Sequence, residues 1–175
     1  MAHRSDEILQ RLPLGPVTGT EIGVFSGATS ARLLKRDDLR LYMVDTWTQF
    51  VIEPGVVIAT AEEQRKNYLE AMSATDFAST RREIVELPSL EAARQFRDGT
   101  LDFAFIDADH SYAAVKADIA AWRPKVAAGG WLCGHDYNNT EYPFGKEVKR
   151  AVDEAVALFG WTLELGGDLT WFVKL

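Results

Sequence analysis

The sequence predicts an α/β fold in three layers, with helices on both faces of a mostly parallel sheet. Short apolar runs alternate with longer segments of helical period along the chain. The run "FAFI" at 103–106 is apolar throughout, which is typical of a strand covered on both faces. The last two runs are separated by little more than "GGD", which allows only an antiparallel hairpin. We therefore expect a doubly wound, Rossmann-like sheet of seven strands that is parallel except for a C-terminal hairpin.

The same alternation predicts each element in order. In the helix at 111–122, Ser111 is a suitable N-cap, and Val115, Ile119 and Trp122 share one face. A short helical pattern at 4–12 comes before the first strand. The predicted strands are 18–25, 40–45, 82–87, 101–107, 130–136, 161–166 and 169–175, and the predicted helices are 27–36, 60–73, 89–97, 111–122 and 144–159.

The length and net charge of the chain limit its domain number and the classes of partner that it can bind. A chain of 175 residues with 47% hydrophobic residues suits one domain over 1–175. Its net charge of -7 argues against nucleic acid and anionic membranes as partners, because both attract cationic surfaces. The single cysteine, Cys133, lies in an apolar stretch, and the start "MAHRSDEILQRL" lacks the apolar core of a signal peptide. No apolar run reaches the ~20 residues that span a bilayer, so we expect a cytoplasmic protein.

Acidic residues and histidines follow two of the predicted strands. The segment "FIDADHSY" places Asp107, Asp109 and His110 after one strand, and "GHDYNN" places His135 and Asp136 after the next. Ligands of open α/β sheets bind beyond the carboxyl ends of the strands. Both clusters therefore lie on the same rim of the sheet, where they could form one site.

The loop after the first strand, "EIGVFSGATS", has features of a cofactor site. Gly23 and Gly27 would allow the backbone to approach a ligand closely, and Phe25 and Ser26 lie between them. The loop lacks the GxGxxG pattern, so a pyrophosphate site is only weakly indicated. Glu21, at the end of the strand, suits a cationic group such as the amine of an amino acid. The alternative is that the two glycines only form a tight turn.

The next two strands are followed by further candidates for binding a nucleoside. Asp45 comes 24 residues after Glu21, and an acidic residue at this place accepts hydrogen bonds from ribose hydroxyls in nucleotide-binding folds. Trp47 could then lie against the sugar or the base. Ser89, in the loop after the third strand, could hydrogen-bond the base. Alternatively, Asp45 caps a loop and Ser89 is the N-cap of a helix over 90–97.

Four segments carry a resemblance to class I S-adenosylmethionine-dependent methyltransferases. They are "EIGVFSGATS", "LYMVDTW", "LDFAFIDADHSYAAVKADIAAWRPKVAAGGWLCGHDY" and "FGKEVKRAVDEA", and the resemblance runs from Thr18 to the C-terminus. The chain is similar to a small bacterial group with Asp-x-Asp-His-Ser-Tyr after strand four and His-Asp-Tyr after strand five. The resemblance implies S-adenosylmethionine as cofactor, with Glu21, Gly23 and Gly27 around its amino acid part and Asp45 on its ribose. The expected cofactor site comprises Glu21, Gly23, Phe25, Ser26, Gly27, Asp45, Trp47, Ser89 and Asp107.

The resemblance also implies a candidate metal site. Related sugar and phenol O-methyltransferases hold magnesium with an aspartate after strand four and acidic residues after strand five. This set maps onto Asp107 and Asp136, with His135 where some relatives carry another carboxylate. Magnesium prefers oxygen ligands, and an imidazole shifts the preference toward transition metals. The expected ion is therefore Mg²⁺ or another divalent metal.

The leading hypothesis is O-methylation of a small-molecule hydroxyl, in a sugar, a glycosylated metabolite or a phenol. A hydroxyl must lose its proton during transfer, so the site needs a base or a metal. Asp109, His110 and His135 are the candidate catalytic residues. Each also has a structural alternative, as does Asp107, which can close a turn. Asp109 or His110 can cap the next helix, and His135 can pair with a carboxylate.

Two loops are expected to select the substrate, and both are long enough to form a lid: 46–60 after strand two and 137–147 after strand five. Because little of the chain precedes the first strand, recognition would otherwise need the second subunit of a homo-oligomer. Two other hypotheses stay open from the residues alone. One is a metal-dependent hydrolase that uses the Asp and His set, and the other is a noncatalytic cofactor-binding module. A nitrogen acceptor instead of oxygen is open as well.

Overall fold

A computed structural model of the chain describes residues 3–53, 56–140 and 145–175, with side chains described in these ranges except at 50–57 and 145. The helices are α1 (Arg4–Arg11), α2 (Ala28–Leu33), α3 (Ala61–Ala74), α4 (Ser89–Ala93), α5 (Tyr112–Trp122) and α6 (Gly145–Phe159), with 3₁₀ turns at Asp76–Ala78 and Arg123–Lys125. The strands are β1 (Val17–Ile22), β2 (Leu39–Asp45), β3 (Phe50–Glu53), β4 (Val56–Ala59), β5 (Arg82–Glu86), β6 (Leu101–Ile106), β7 (Val126–Gly134), β8 (Leu163–Leu165) and β9 (Trp171–Lys174).

Seven of these strands form one sheet, in the order β5-β2-β1-β6-β7-β9-β8. The first five are parallel, and β9 is antiparallel to both of its neighbours. This confirms the predicted α/β sheet with a C-terminal antiparallel hairpin. Ile22 pairs with Val44 on one side and with Ile106 on the other, and Ile106 pairs with Gly134. The carboxyl ends of these strands are therefore level, and the residues that follow them share one rim.

Helices cover both faces of the sheet. On one face α4, α5 and α6 pack over a buried cluster that includes Trp122 and Trp171. On the other face α1, α2 and α3 pack over a cluster that includes Phe103 and Phe105. Burial on both faces explains why a strand such as β6 is apolar throughout. Cys133 of β7 is also fully buried, and burial raises the pKa of its thiol.

The loops at the rim differ in part from the prediction. The segment 46–60 contains a hairpin in which β3 and β4 pair antiparallel outside the main sheet. Its sequence has two runs rich in β-branched residues on either side of "EPG", a pattern that favours paired strands around a turn. Within the other predicted loop, 137–147, residues 141–144 lie outside the described part. In the ranges that are described, no helix is both long and apolar enough to cross a bilayer.

Candidate active site

A cavity of about 1050 Å³ opens at the carboxyl ends of β5, β2, β1 and β6. Its volume is near the upper end of the ~300–1,000 Å³ that is typical of small-molecule and cofactor sites. Most of the site residues predicted from the sequence line this cavity. They are Glu21, Gly23, Phe25, Ser26, Asp45, Ser89, Asp107, Asp109 and His110.

Glu21 lies at the end of β1 with only 2% of its surface exposed. Its carboxylate accepts a hydrogen bond from the Ser30 hydroxyl of α2. Burial is the main cause that raises the pKa of this carboxyl to about 8, because a charge taken out of water loses its hydration. A cation bound beside Glu21 would favour the ionised form. The position therefore suits the ammonium group of an amino acid.

The two glycines of the first loop act differently. Gly23 has a φ of 87°, and a Cβ there would lie 2.1 Å from the carbonyl oxygen of Asp107. Its N–H donates to the Val44 carbonyl at 2.9 Å, so Gly23 holds the ends of β1, β2 and β6 together at the cavity wall. Gly27 has a φ of 80° and packs against α3, where a Cβ would lie 2.8 Å from Cα of Ala71. Gly27 is outside the described cavity wall, so its place in the structure is one of packing.

Asp45 organises the first loop. Its Oδ2 accepts hydrogen bonds from the N–H groups of Val24 and Phe25 at 2.8 and 2.9 Å, and its Oδ1 accepts one from the N–H of Trp47 at 3.0 Å. The Trp47 indole N–H donates to the Phe25 carbonyl at 2.8 Å, and its ring packs edge-on against Tyr68. Trp47 is thus a buried support of the loop and lies behind the described cavity wall. Asp45 lines the cavity itself, so its carboxylate is within reach of a ligand there.

Ser89 begins α4 but does not cap it, since the N-cap position is Pro88. The Ser89 hydroxyl donates to Oδ1 of Asp118 at 2.5 Å and accepts a hydrogen bond from the Trp122 indole N–H at 2.9 Å. Asp118 is 4% exposed and lines the cavity, and burial raises the pKa of its carboxyl to about 6. Asp118 is not among the site residues predicted from the sequence. Its signal is an acidic residue on the buried face of α5, three positions after Val115.

The two clusters of acidic residues and histidines converge. Nε2 of His110 lies 3.3 Å from Oδ1 of Asp107 and 3.0 Å from Oδ2 of Asp136. One ligand atom from each of these three residues lies within 4.8 Å of the others. Nδ1 of His135 is 3.3 Å from Oδ2 of Asp136 and 3.9 Å from Oδ1 of Asp107. The residues that follow β6 and β7 therefore form one site beside the cavity.

The carboxylates of this site keep His110 protonated. Burial is the largest influence on the pKa of His110 and lowers it, but Asp107 and Asp136 together raise it to about 10. Burial would raise the pKa of Asp136, yet hydrogen bonds from His110, His135 and Asn139 bring it well below its usual range. At neutral pH His110 is therefore a proton donor while both carboxylates face it. A cation bound to those carboxylates would lower the pKa of His110 and favour the neutral ring, which can accept a proton.

In the turn before α5, Ser111 and Asp109 have structural contacts, and His110 lies in the acidic cluster. The N-cap of α5 is Ser111, whose hydroxyl accepts a hydrogen bond from the Ala114 N–H. Oδ1 of Asp109 accepts a hydrogen bond from the Ser111 N–H at 2.8 Å. Asp109 thus supports the turn, whereas the His110 ring faces the acidic cluster.

Arg4 of α1 is part of the site, although no sequence pattern pointed to it. Its Nη1 lies 2.5 Å from Oδ2 of Asp107, and its Nε lies 3.8 Å from Oδ2 of Asp168. Nε is buried and has no hydrogen-bond partner among the residues that the structure describes. The docking of α1 onto the sheet is a tertiary contact, so a local pattern could not reveal it. Arg4 places a permanent positive charge on a carboxylate that a metal ion would also need.

A family model described as "Methyltransferase domain" matches residues 20–137 of the sequence. The chain belongs to this methyltransferase family. The methyltransferase is S-adenosylmethionine-dependent, as the resemblance in the sequence implies. The matched residues include Glu21, Asp45 and both halves of the Asp and His cluster. A comparison with curated proteins gave no match.

Solved structures with the fold of this methyltransferase include several other methyltransferases. A candidate caffeoyl-CoA O-methyltransferase from Staphylococcus aureus has a TM-score of 0.70 at 14% identity, over 100% of this chain and 85% of the other. The calicheamicin methyltransferase CalS11 has a TM-score of 0.69 at 17% identity, over 97% and 76%. The O-methyltransferase NovP has a TM-score of 0.64 at 21% identity, over 97% and 75%. At these identities the likeness shows the fold, and the acceptor has to be argued from the site.

Proposed function

We propose that the methyltransferase transfers the methyl group of S-adenosylmethionine to a hydroxyl of a small molecule, in a sugar, a glycosylated metabolite or a phenol. The observation that supports this most is the single cavity that joins the buried Glu21 to Asp107 and His110, with Asp136 beside them. The Glu21 end suits the amino acid part of the cofactor. The other end offers the acidic and basic groups that a hydroxyl needs in order to lose its proton.

In this proposal the residues along the rim hold the cofactor. Glu21 binds the ammonium group, Asp45 binds the ribose hydroxyls and Ser89 borders the base, while Phe25 and Ser26 line the wall near Glu21. The strand order β5-β2-β1, with neighbouring strands ~4.8 Å apart, presents base, ribose and amino acid contacts in sequence. When bound, S-adenosylmethionine supplies a methyl group on a positively charged sulfur. β6 is the next strand in the sheet after β1, so Asp107 and His110 follow the strand end beside Glu21.

The residues at the ends of β6 and β7 offer donors that suit a divalent cation. Ligand atoms of Asp107, His110 and Asp136 lie within 4.8 Å of one another, and Nδ1 of His135 lies 3.3 Å from Oδ2 of Asp136 and 3.9 Å from Oδ1 of Asp107. Asp107, His135 and Asp136 would hold it, and such an ion lowers the pKa of a bound hydroxyl. Two carboxylates suit Mg²⁺, whereas the imidazole favours a transition metal. His135 serves better as the ligand and His110 as the base, because His110 lines the described cavity wall and His135 does not.

His110 would accept the proton of the hydroxyl at Nε2. It can do so when Asp107 and Asp136 are engaged by a cation, because those carboxylates are what keep its ring protonated. Asp109 is the alternative base, but its Oδ1 already accepts a hydrogen bond from the Ser111 N–H. We therefore place general-base catalysis on His110.

Two of the similar structures favour oxygen as the acceptor. NovP is described as an O-methyltransferase. A structure of CalS11 is described as that of a TDP-rhamnose 3′-O-methyltransferase, with a TM-score of 0.63 at 20% identity, over 97% of this chain and 77% of that chain. Those activities belong to those proteins. They make a sugar hydroxyl the first acceptor to test.

The proposal also covers the partners, the cellular compartment and the oligomeric state of the methyltransferase. A net charge of -7 favours small molecules over nucleic acid or anionic membranes as partners. A single, buried Cys133 suits the reducing cytoplasm. A homo-oligomer could bring a second subunit to the acceptor pocket, and light scattering of the purified protein tests for one.

Calorimetric titration tests the cofactor site. We expect micromolar binding of S-adenosylmethionine, with and without Mg²⁺ or Mn²⁺, and none of NAD. Turnover is then followed as release of S-adenosylhomocysteine with sugar, phenol and amine acceptors. Methylation of amines alone would contradict transfer to a hydroxyl. Turnover that is insensitive to a chelator would contradict the metal.

Single substitutions distinguish the proposed roles of His110 as base and His135 as metal ligand. We expect His110→Ala to lose turnover by ~100-fold or more while it keeps its metal affinity. We expect His135→Ala to weaken the metal affinity measured by calorimetry. His3→Asn is the matched control, because His3 lines the cavity and caps α1 through a side chain that asparagine can replace. The reverse pattern would exchange the roles of His110 and His135.

A further inference from the structure

Asp118 is a buried acidic residue on the cavity wall that the roles proposed above leave unused. It is 4% exposed and belongs to α5. Ser89 of α4 donates to its Oδ1, and the Trp122 indole N–H donates to Ser89, so two hydrogen bonds in series fix the carboxylate. Ala114, one turn earlier on α5, and Ala117, the residue before Asp118, also line the cavity. Their small side chains leave room beside the carboxylate for a ligand.

Among the described residues, no cation forms an ion pair with Asp118, whose hydrogen-bond partner is the Ser89 hydroxyl. Burial, and to a smaller extent the carboxylate of Asp109, raise the pKa of Asp118 to about 6. Above that pH the group is an ionised carboxylate and acts only as a hydrogen-bond acceptor. Ser89 occupies one of its oxygens, and the other can accept from a ligand in the cavity. A buried, ionised carboxylate is costly unless a donor satisfies it, so a ligand with an N–H group would be favoured there.

We propose that Asp118, positioned by Ser89, accepts a hydrogen bond from the exocyclic amine of the cofactor's base and thereby selects adenine over 6-oxo purines. This rests on the cofactor placement in the proposed function, with the base next to Ser89. An ionised carboxylate attracts an amino group and repels a carbonyl oxygen. Sites that hydrogen-bond an N–H group discriminate strongly against analogues that lack it.

The position of Asp118 in the fold supports a contact with the base. β5 lies next to β2 in the sheet, so the loop that carries Ser89 borders the strand end that carries Asp45. A base attached to a ribose on Asp45 would extend toward Ser89 and α5. Leu87 and Pro88 line this part of the cavity and offer apolar surface to the face of a ring. Asp118 then meets the edge of the ring.

A carboxylate that only joined α5 to α4 would behave differently. Its removal would lower the stability of the protein and weaken every nucleoside ligand by the same factor. The ratio of affinities for two bases would stay constant. That ratio is therefore the measurement that separates recognition of the base from packing.

The test compares S-adenosylhomocysteine with S-inosylhomocysteine, in which a carbonyl oxygen replaces the exocyclic amine. Calorimetry gives both dissociation constants for the wild-type protein, Asp118→Asn, Ser89→Ala and the control Glu91→Gln. Asparagine keeps the shape of Asp118 and can donate to the inosine carbonyl. Glu91 is an acidic residue of α4 at the same cavity, so its variant removes a nearby charge and leaves Asp118 in place.

We expect the wild-type protein and Glu91→Gln to prefer the adenosyl ligand at least tenfold. In Asp118→Asn the preference should fall to within about threefold, and Ser89→Ala should lose part of it because the carboxylate is no longer fixed. An unchanged preference in Asp118→Asn would overturn the role of Asp118 and leave the cofactor site intact. No binding of S-adenosylhomocysteine to the wild-type protein would overturn the cofactor placement, and this inference with it. Thermal melts of each variant verify that it is folded.

Discussion

Glu21 should make the ligand-free methyltransferase less stable as the pH rises, and Glu21→Gln should remove this dependence. The folded protein keeps the proton on Glu21 because burial raises the pKa of its carboxyl to about 8. In the unfolded chain the carboxyl loses its proton above the ordinary value of 4.5. The stabilising contribution is thus complete below pH 4.5 and declines until the pH passes the folded pKa. Glutamine has the same shape, has no charge to lose and keeps an acceptor for the Ser30 hydroxyl.

The size of the effect follows from the two pKa values. One pKa unit corresponds to ~1.36 kcal/mol, and the interval between 4.5 and about 8 therefore amounts to roughly 5 kcal/mol. Across the accessible range from pH 5 to pH 8, the free energy of unfolding of the wild-type protein should fall by about 3.5 kcal/mol relative to Glu21→Gln. In a chain of this length that difference equals a relative shift of about 7–14 °C in Tm.

Urea denaturation at several pH values measures this difference directly. Other titrating groups are common to both proteins, so the difference between the two curves isolates Glu21. Glu83→Gln is the control, because it also replaces a glutamate by glutamine, but at an exposed position of β5 that pairs with Arg40 and does not line the described cavity. A wild-type minus Glu21→Gln difference that stays constant within ~1 kcal/mol from pH 5 to pH 8 would refute the reasoning.

Three further predictions concern other residues at the carboxyl ends of the strands and at the N-terminal helix. Gly23→Ala should lower the free energy of unfolding by at least ~2 kcal/mol, because a positive φ costs an alanine ~1–2 kcal/mol and its Cβ would meet the Asp107 carbonyl; a urea midpoint equal to that of the wild type would contradict this. Arg4→Met should strengthen Mn²⁺ binding roughly tenfold in calorimetry, because the guanidinium no longer competes for Asp107; weaker binding would exclude that competition. His110→Gln should lower the free energy of unfolding most below pH 6.5, and progressively less as the pH approaches about 10, the pKa of His110 in the folded protein. Urea denaturation with a chelator present measures this, and a difference in unfolding free energy between wild type and variant that does not change with pH would show that the ring is not held protonated.

The sheet could be predicted from the sequence because its constraints are local. Strand β6 is buried on both faces, so its apolar run is visible without any knowledge of its neighbours. The short connection before Trp171 forces β8 and β9 into a hairpin. The β3–β4 hairpin differs from the prediction, which treats the segment 46–60 as a loop. Its two β-branched runs around "EPG" were nevertheless a usable signal.

The sequence predicts those residues of the site that directly follow the ends of strands. The convergence of Asp107, His110 and Asp136 follows from the parallel register, which makes neighbouring strand ends level. The partners of those residues depend on how helices dock onto the sheet, and sequence patterns do not encode this directly. Arg4 reaches Asp107 only because α1 packs where it does. Asp118 was within reach of prediction, since a charged residue on an apolar helix face calls for a partner or a ligand.

The strand order also determines how freely this enzyme can acquire new acceptors. The end of β5, with Ser89, and the end of β7, with Asp136, are separated by four strand spacings, or roughly 19 Å at ~4.8 Å each. Substitutions more than ~7–10 Å apart usually contribute independently. With the cofactor placed as proposed, acceptor specificity can therefore diverge at one end of the rim while nucleoside recognition at the other end is inherited unchanged. Directed evolution of the loop after β7, at the far end of the rim from β5, should therefore yield new acceptors while the affinity for the cofactor is kept.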